Sequence, residues 1–154
     1  MDHSLFFREW TWDGRGKYID DKGQIMPFEG TARTFHEEGL WLHEGKMTLT
    51  PVEGPPLSIV NRQEVLPFEK ETMITEWTTR NPHLGVLTGH LVIVDEAILS
   101  LCRSENGLFT GCETFLRIDD EMYGSWGTLF RQGERISSWT LRFRKKAQVD
   151  KPNE

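Results

Sequence analysis

The stretch Trp10-Thr11-Trp12-Asp13-Gly14-Arg15-Gly16-Lys17-Tyr18 alternates without a break. Trp10, Trp12, Gly14, Gly16 and Tyr18 fall on one side, and Thr11, Asp13, Arg15 and Lys17 on the other. That is the period of a half-buried strand, not of a helix. The same rhythm continues downstream, punctuated by Lys22-Gly23, Glu38-Gly39, Gly54-Pro55-Pro56, Asp95-Glu96, Asn106-Gly107, Asp119-Asp120 and Gly133-Glu134. Short alternating runs between evenly spaced turns are hairpins in series.

The runs are Trp10–Tyr18, Phe28–Phe35, Leu40–Leu49, Leu57–Val65, Met73–Thr79, Leu87–Val94, Ile98–Arg103, Phe109–Ile118, Tyr123–Arg131 and Ile136–Arg144. About ten antiparallel strands in one small domain predict an all-β, up-and-down barrel of the lipocalin-like kind, because closure removes both edges. A β-sandwich is the alternative. The barrel is expected to occupy residues 1–147, followed by a polar tail over 148–154. With 154 residues the chain is long enough for one domain with a real core. Nine Phe, six Trp and two Tyr make that core aromatic.

A net charge of −6 argues against a nucleic-acid partner, since backbone binding needs a basic face. Arg142, Arg144, Lys145 and Lys146 are read as a solvated strand end. Cys102 and Cys112 flank the Asn106-Gly107 turn, close enough in sequence to bridge under oxidation, but two small buried side chains are the simpler expectation. Few cysteines, no leader-like N-terminus and no run of about 20 apolar residues lead to a cytoplasmic expectation without membrane association.

The segment Trp12-Asp13-Gly14-Arg15-Gly16-Lys17-Tyr18 resembles the W-x-G-x-G-x-Y opening of nitrobindin-like proteins, members of the calycin group. Phe28-Glu29-Gly30 and Phe35-His36-Glu37-Glu38 are compatible with the same pattern. The likeness covers the first ~40 residues and implies a ten-stranded lipocalin-like barrel. It also implies haem held by a His on a late strand. Here the corresponding region is Ser137-Ser138-Trp139-Thr140, without a His, so an axial ligand would have to be His43 or His90. Lipocalin-like carriage of a ligand is what the resemblance leaves.

Residues expected to face the interior and touch a ligand are Trp41, His43, Met47, Trp77, His90, Arg103, Glu113, Trp126 and Trp139. His43 shares a face with Trp41 and Met47. His90 lies in a strand that is apolar on both faces, so its direction is open. Arg103 and Glu113 could each send a charge inward, where it needs a partner or a ligand that supplies one. An internal Arg103–Glu113 pair is the structural alternative to a ligand anchor. The strand Leu57–Val65 is expected to turn Ile59, Asn61, Gln63 and Val65 inward. His36, His43, His83 and His90 form no metal-binding spacing, and no catalytic motif stands out. His83, in the Asn81-Pro82-His83 turn, belongs at a barrel mouth.

Noncatalytic binding of a small, partly apolar molecule inside the barrel is the first expectation. The second is an isomerase, lyase or hydrolase using His43, His90 or Glu113, and the third a haem-binding sensor. A filled barrel acting through its surface, as a homodimer, is the remaining reading.

Overall fold

The computed structural model describes residues 2–148, with side chains through residue 146. The strands are β1 (Trp10–Ile19), β2 (Ile25–Glu37), β3 (Leu40–Leu49), β4 (Leu57–Val65), β5 (Ile74–Asn81), β6 (Gly85–Val94), β7 (Ala97–Ser104), β8 (Phe109–Asp119), β9 (Met122–Arg131) and β10 (Glu134–Gln148). Each pairs with its sequence neighbours, and β1 pairs antiparallel with β10, so the sheet closes on itself. One closed sheet leaves no second layer, which sets the sandwich alternative aside. Gln148, expected to open the tail, ends β10 opposite Trp10, and 149–154 lie outside the described residues. Among the described residues no helix is long and apolar enough to cross a membrane.

The turns work because glycine supplies the left-handed backbone that tight hairpins need. Gly107 and Gly133 have φ of 75° and 84°. Gly16 and Gly30 serve a different purpose. A Cβ on Gly16 would lie 1.7 Å from the Thr140 carbonyl oxygen, and one on Gly30 would lie 1.9 Å from that of Lys46. The bare backbone lets β1 approach β10, and β2 approach β3, as the sheet coils.

The two ends of the barrel differ. At one end Trp12, Val65, Ile98, Tyr123 and Ser125 are sealed from solvent, and the segment before β1 lies across them as a plug. Leu5 and Phe6 are buried there; the Phe6 ring meets His43 at 4.6 Å and Phe115 edge-on at 5.3 Å between centroids. Polar bonds pin the plug. His3 Nδ1 lies 2.9 Å from the Tyr123 hydroxyl, which also accepts from the Ser4 N–H at 3.0 Å. Ser4 Oγ donates to the Asp120 carbonyl at 2.6 Å, and the Phe6 carbonyl is bonded to His36 Nε2 at 2.8 Å. No strand period marks this plug in the sequence; its signal is Leu5-Phe6-Phe7, an apolar cluster outside any strand.

At the other end, where the β1–β2, β5–β6, β7–β8 and β9–β10 turns lie, Met26, Phe28, Leu49, Leu87 and Ser104 are buried, but part of the inner face is only half-buried. Tyr18, Cys102, Phe109, Gly111, Leu129 and Trp139 all keep contact with solvent. The wall is also incomplete. β4 pairs with β3 along its whole length but with β5 only through Gln63–Thr79, Glu64–Thr78 and Val65–Trp77. Leu57, Ile59, Val60 and Asn61 are exposed as a result. Their register matches the expectation, but of Ile59, Asn61, Gln63 and Val65 only Val65 is buried, because the strand beside it has separated.

Candidate functional site

Following the ladder pairs around the barrel identifies the interior row by row. One row runs Trp77, Gly89, Cys102, Gly111, Leu129 across β5 to β9. The next runs Ser100, Glu113, Gly127, Trp139, Tyr18 across β7, β8, β9, β10 and β1. Small residues keep this part of the wall low. Two indoles then lie flat against it: a Cβ on Gly89 would come within 2.8 Å of the Trp77 ring, and one on Gly127 within 2.2 Å of the Trp139 ring. A tryptophan opposite a cross-strand glycine folds sideways over it, against the wall.

Glu113 is the polar centre of the open half. Its Oε2 accepts from Ser125 Oγ at 2.6 Å and from Trp139 Nε1 at 2.8 Å. Oε1 accepts no hydrogen bond from the described residues and is not sealed from solvent. Burial pushes the Glu113 carboxyl above the usual carboxylate range, and the two hydrogen bonds pull it partly back. The Cys102 thiol beside it is pushed up to about 11, chiefly by burial and in part by the neighbouring carboxylate. Trp77 Nε1 is sealed and has no partner among the described residues.

His43 stands deeper. Its Nδ1 lies 2.9 Å from Thr34 Oγ1, and its ring packs on Phe6. Burial lowers its pKa to about 4, so the imidazole is neutral at pH 7. Met47 is buried on the same face of β3, and Gly45 between them opens onto empty space: a Cβ there would meet nothing within 4 Å. Trp41 points to the plugged end, stacked on His36 at 4.3 Å and edge-on to Phe7 at 5.3 Å.

Three expected lining residues lie outside the barrel. His90 is exposed, 3.7 Å from Glu76, because Leu87, Gly89 and Leu91 take the inner face of β6. Arg103 is exposed because Ile98, Ser100 and Ser104 take the inner face of β7. Both border a shallow outer groove with Thr88 and Leu101. The Arg103–Glu113 pair therefore gives way to Ser125 and Trp139 as the partners of Glu113. Trp126 is 51% exposed, lying over Gly124 on the outside, because Tyr123 and Ser125 turn inward. Cys102 and Cys112 are both free and stand in adjacent positions of opposite orientation, Cys102 half-buried inside and Cys112 exposed, so they do not bridge. His83 sits in an exposed turn at the open rim, its N–H donating to Asn81 Oδ1 at 2.8 Å.

The residues do not fit the haem site that the first-strand resemblance implies. Ser137 and Trp139 occupy the inner face where the late-strand His would stand, and Trp139 is committed to Glu113. Of the imidazoles on the inner face, His43 is covered by Phe6 and His36 is bonded to the Phe6 carbonyl, so both belong to the plugged half.

No family model matches the chain, and no curated protein matches it. Among solved structures, the S-type phycobiliprotein lyase CPES from Guillardia theta superposes with a TM-score of 0.66 at 8% identity, covering 95% of this chain and 93% of that one. An AttH protein from Nitrosomonas europaea aligns with a TM-score of 0.31 at 14% identity, covering 99% of this chain and 55% of that one. The second likeness is too slight to bear on the fold. The first extends over nearly the whole of both chains, and what it shares with this protein is the fold.

Proposed function

We propose that the protein binds a small, partly apolar molecule in the open half of its barrel without transforming it. The observation that carries this reading is the contrast along one inner wall. Beyond the sealed floor, Tyr18, Phe109, Leu129 and Trp139 are half-buried on the same inner wall as a carboxyl whose Oε1 has no partner among the described residues. An apolar concavity with a few convergent polar groups is the usual form of a small-molecule site. Trp77 and Trp139 lie flat on glycines against the wall, and the space beside Gly45 adds room toward the parted β4 and β5.

A lyase reading draws support from the fold shared with the phycobiliprotein lyase and from the raised pKa of Glu113, which suits a proton donor. It ranks second because the hydrogen bonds of His43 and Glu113 share no partner, so no acid–base pair is assembled.

Gly45→Phe tests the binding reading. The new ring has room for its Cβ and projects into the lumen, so uptake of the neutral dye Nile red, followed by its fluorescence, should be lost while the circular dichroism and melting temperature stay near wild type. Unchanged dye uptake by the folded variant would place binding elsewhere and sink the reading.

A further inference from the structure

We propose that the lumen selects ligands carrying a basic nitrogen, an amine or amidine, with Glu113 as the anchor that holds it. The inference rests on the binding reading above and narrows it to a ligand class.

Three features of the interior support it. Both hydrogen bonds that Glu113 makes with the described residues fall on Oε2, from Ser125 and Trp139, which fixes the carboxyl plane and leaves Oε1 without a partner among them. A carboxyl already held by two donors from two strands needs no movement to receive a third. Next, among the described residues the middle rows of the inner face contain no lysine or arginine. Arg117 and Lys145 stand at the plugged end, where Arg117 is occupied by Glu96 and Asp120, and Lys145 by Glu121 and the Trp10 ring. Arg131 and Arg135 stand at the rim, and Arg135 donates to the Ile19 and Asp20 carbonyls. A ligand carboxylate would therefore enter a half-buried space with no cation to receive it and with an acid already there. Finally, the walls beside Glu113 are aromatic. The Trp139 ring and Tyr18 stand in adjacent positions of β10 and β1, and such faces attract an ammonium group.

Burial raises the Glu113 pKa, and the hydrogen bonds from Ser125 and Trp139 lower it. An arriving ammonium lowers it further: any proton on the carboxyl leaves to water, and the carboxylate and ammonium remain as a hydrogen-bonded pair.

The test uses three probes of one shape, 1-naphthylmethylamine, 1-naphthalenemethanol and 1-naphthoate, titrated into the full-length protein at pH 7 by calorimetry. The amine should bind about tenfold or more tighter than the alcohol, as a charge-assisted bond gives, and the naphthoate weakest of all. In Glu113→Gln, an isosteric change, the amine should fall to the affinity of the alcohol, and the alcohol should be unaffected. An amine preference that survives Glu113→Gln overturns the assignment of Glu113. Naphthoate binding as tight as the amine overturns the ligand class, and this comparison needs only the wild-type protein, so it stands if the variant does not fold. Alcohol binding without any amine preference refutes the charge selectivity while leaving the lumen as a binding site. Failure of all three probes to bind refutes both.

Discussion

The plugged half and the open half of this barrel are built from the same strands with the same alternation, yet they solve opposite problems. At the plugged end Trp12, Tyr123, Phe115 and Phe143 converge, and Leu5 and Phe6 are added from outside the sheet to fill what remains. At the open end Gly89 and Gly127 take inner positions, and the large rings of Trp77 and Trp139 are laid over them against the wall. The core runs into both halves, since Met26, Phe28, Leu49, Trp77 and Leu87 in the second are buried as well, but beside them Tyr18, Phe109 and Trp139 keep contact with solvent. A side chain removed from the first half should cost folding free energy, and a half-buried one changed in the second should alter binding at little cost.

The largest expected effect is Phe6→Ala. A buried ring that touches both sides of the barrel should cost about 3–5 kcal/mol on removal, measured by urea unfolding. An effect below about 1 kcal/mol would show that the plug is not part of the cooperative unit.

His43 should produce the next effect. Its folded pKa of about 4 lies below the ordinary value of 6.5, so between those values the unfolded chain binds the extra proton. Its contribution is complete above pH 6.5 and is lost as pH falls toward 4, a difference of at most about 3 kcal/mol. His43→Gln should flatten that part of the stability profile relative to wild type. An unchanged slope would mean that the ring is not held neutral. Tyr123→Phe follows, leaving His3 and the Ser4 N–H without their shared oxygen, for a loss of about 1–3 kcal/mol in the same assay.

Smallest on stability, and opposite in sign, is Glu113→Gln. The raised pKa of Glu113 means that the folded state holds a proton the unfolded state has released, so wild-type stability declines as pH rises from 4.5 toward the folded value. The variant should lack this decline and melt no lower than wild type at pH 7. A marked drop in its melting temperature would make Glu113 a structural residue and erase the contrast between the two halves.

How much of this was legible depends on which residues carried a period. The strand order followed from the turns, and the inner face of β1 from its unbroken alternation. Glu113 was placed inside correctly, because Gly111 and Phe115 share its face. Trp126 and Arg103 were misplaced for a common reason: apolarity stopped marking the interior. β9 turns Ser125 inward to bond Glu113 and leaves Trp126 outside, while β7 places Leu101 outside and Ser100 inside. A polar residue serving another polar residue inverts the pattern, and only the three-dimensional pairing reveals it. The plug had no period at all, being a coil, and β4 had a regular one that its neighbour does not honour.

That last strand has a mechanical consequence. A hoop laced by full ladders everywhere except across three rungs between β4 and β5 does not stretch evenly. Any widening concentrates at the short lacing, as in a split collar, while the other seams keep their registers. A change in one gap would then alter the girth of the barrel. The backbone amides of Leu57 to Asn61 should report that adjustment, trading their protons with solvent faster than those of any other strand.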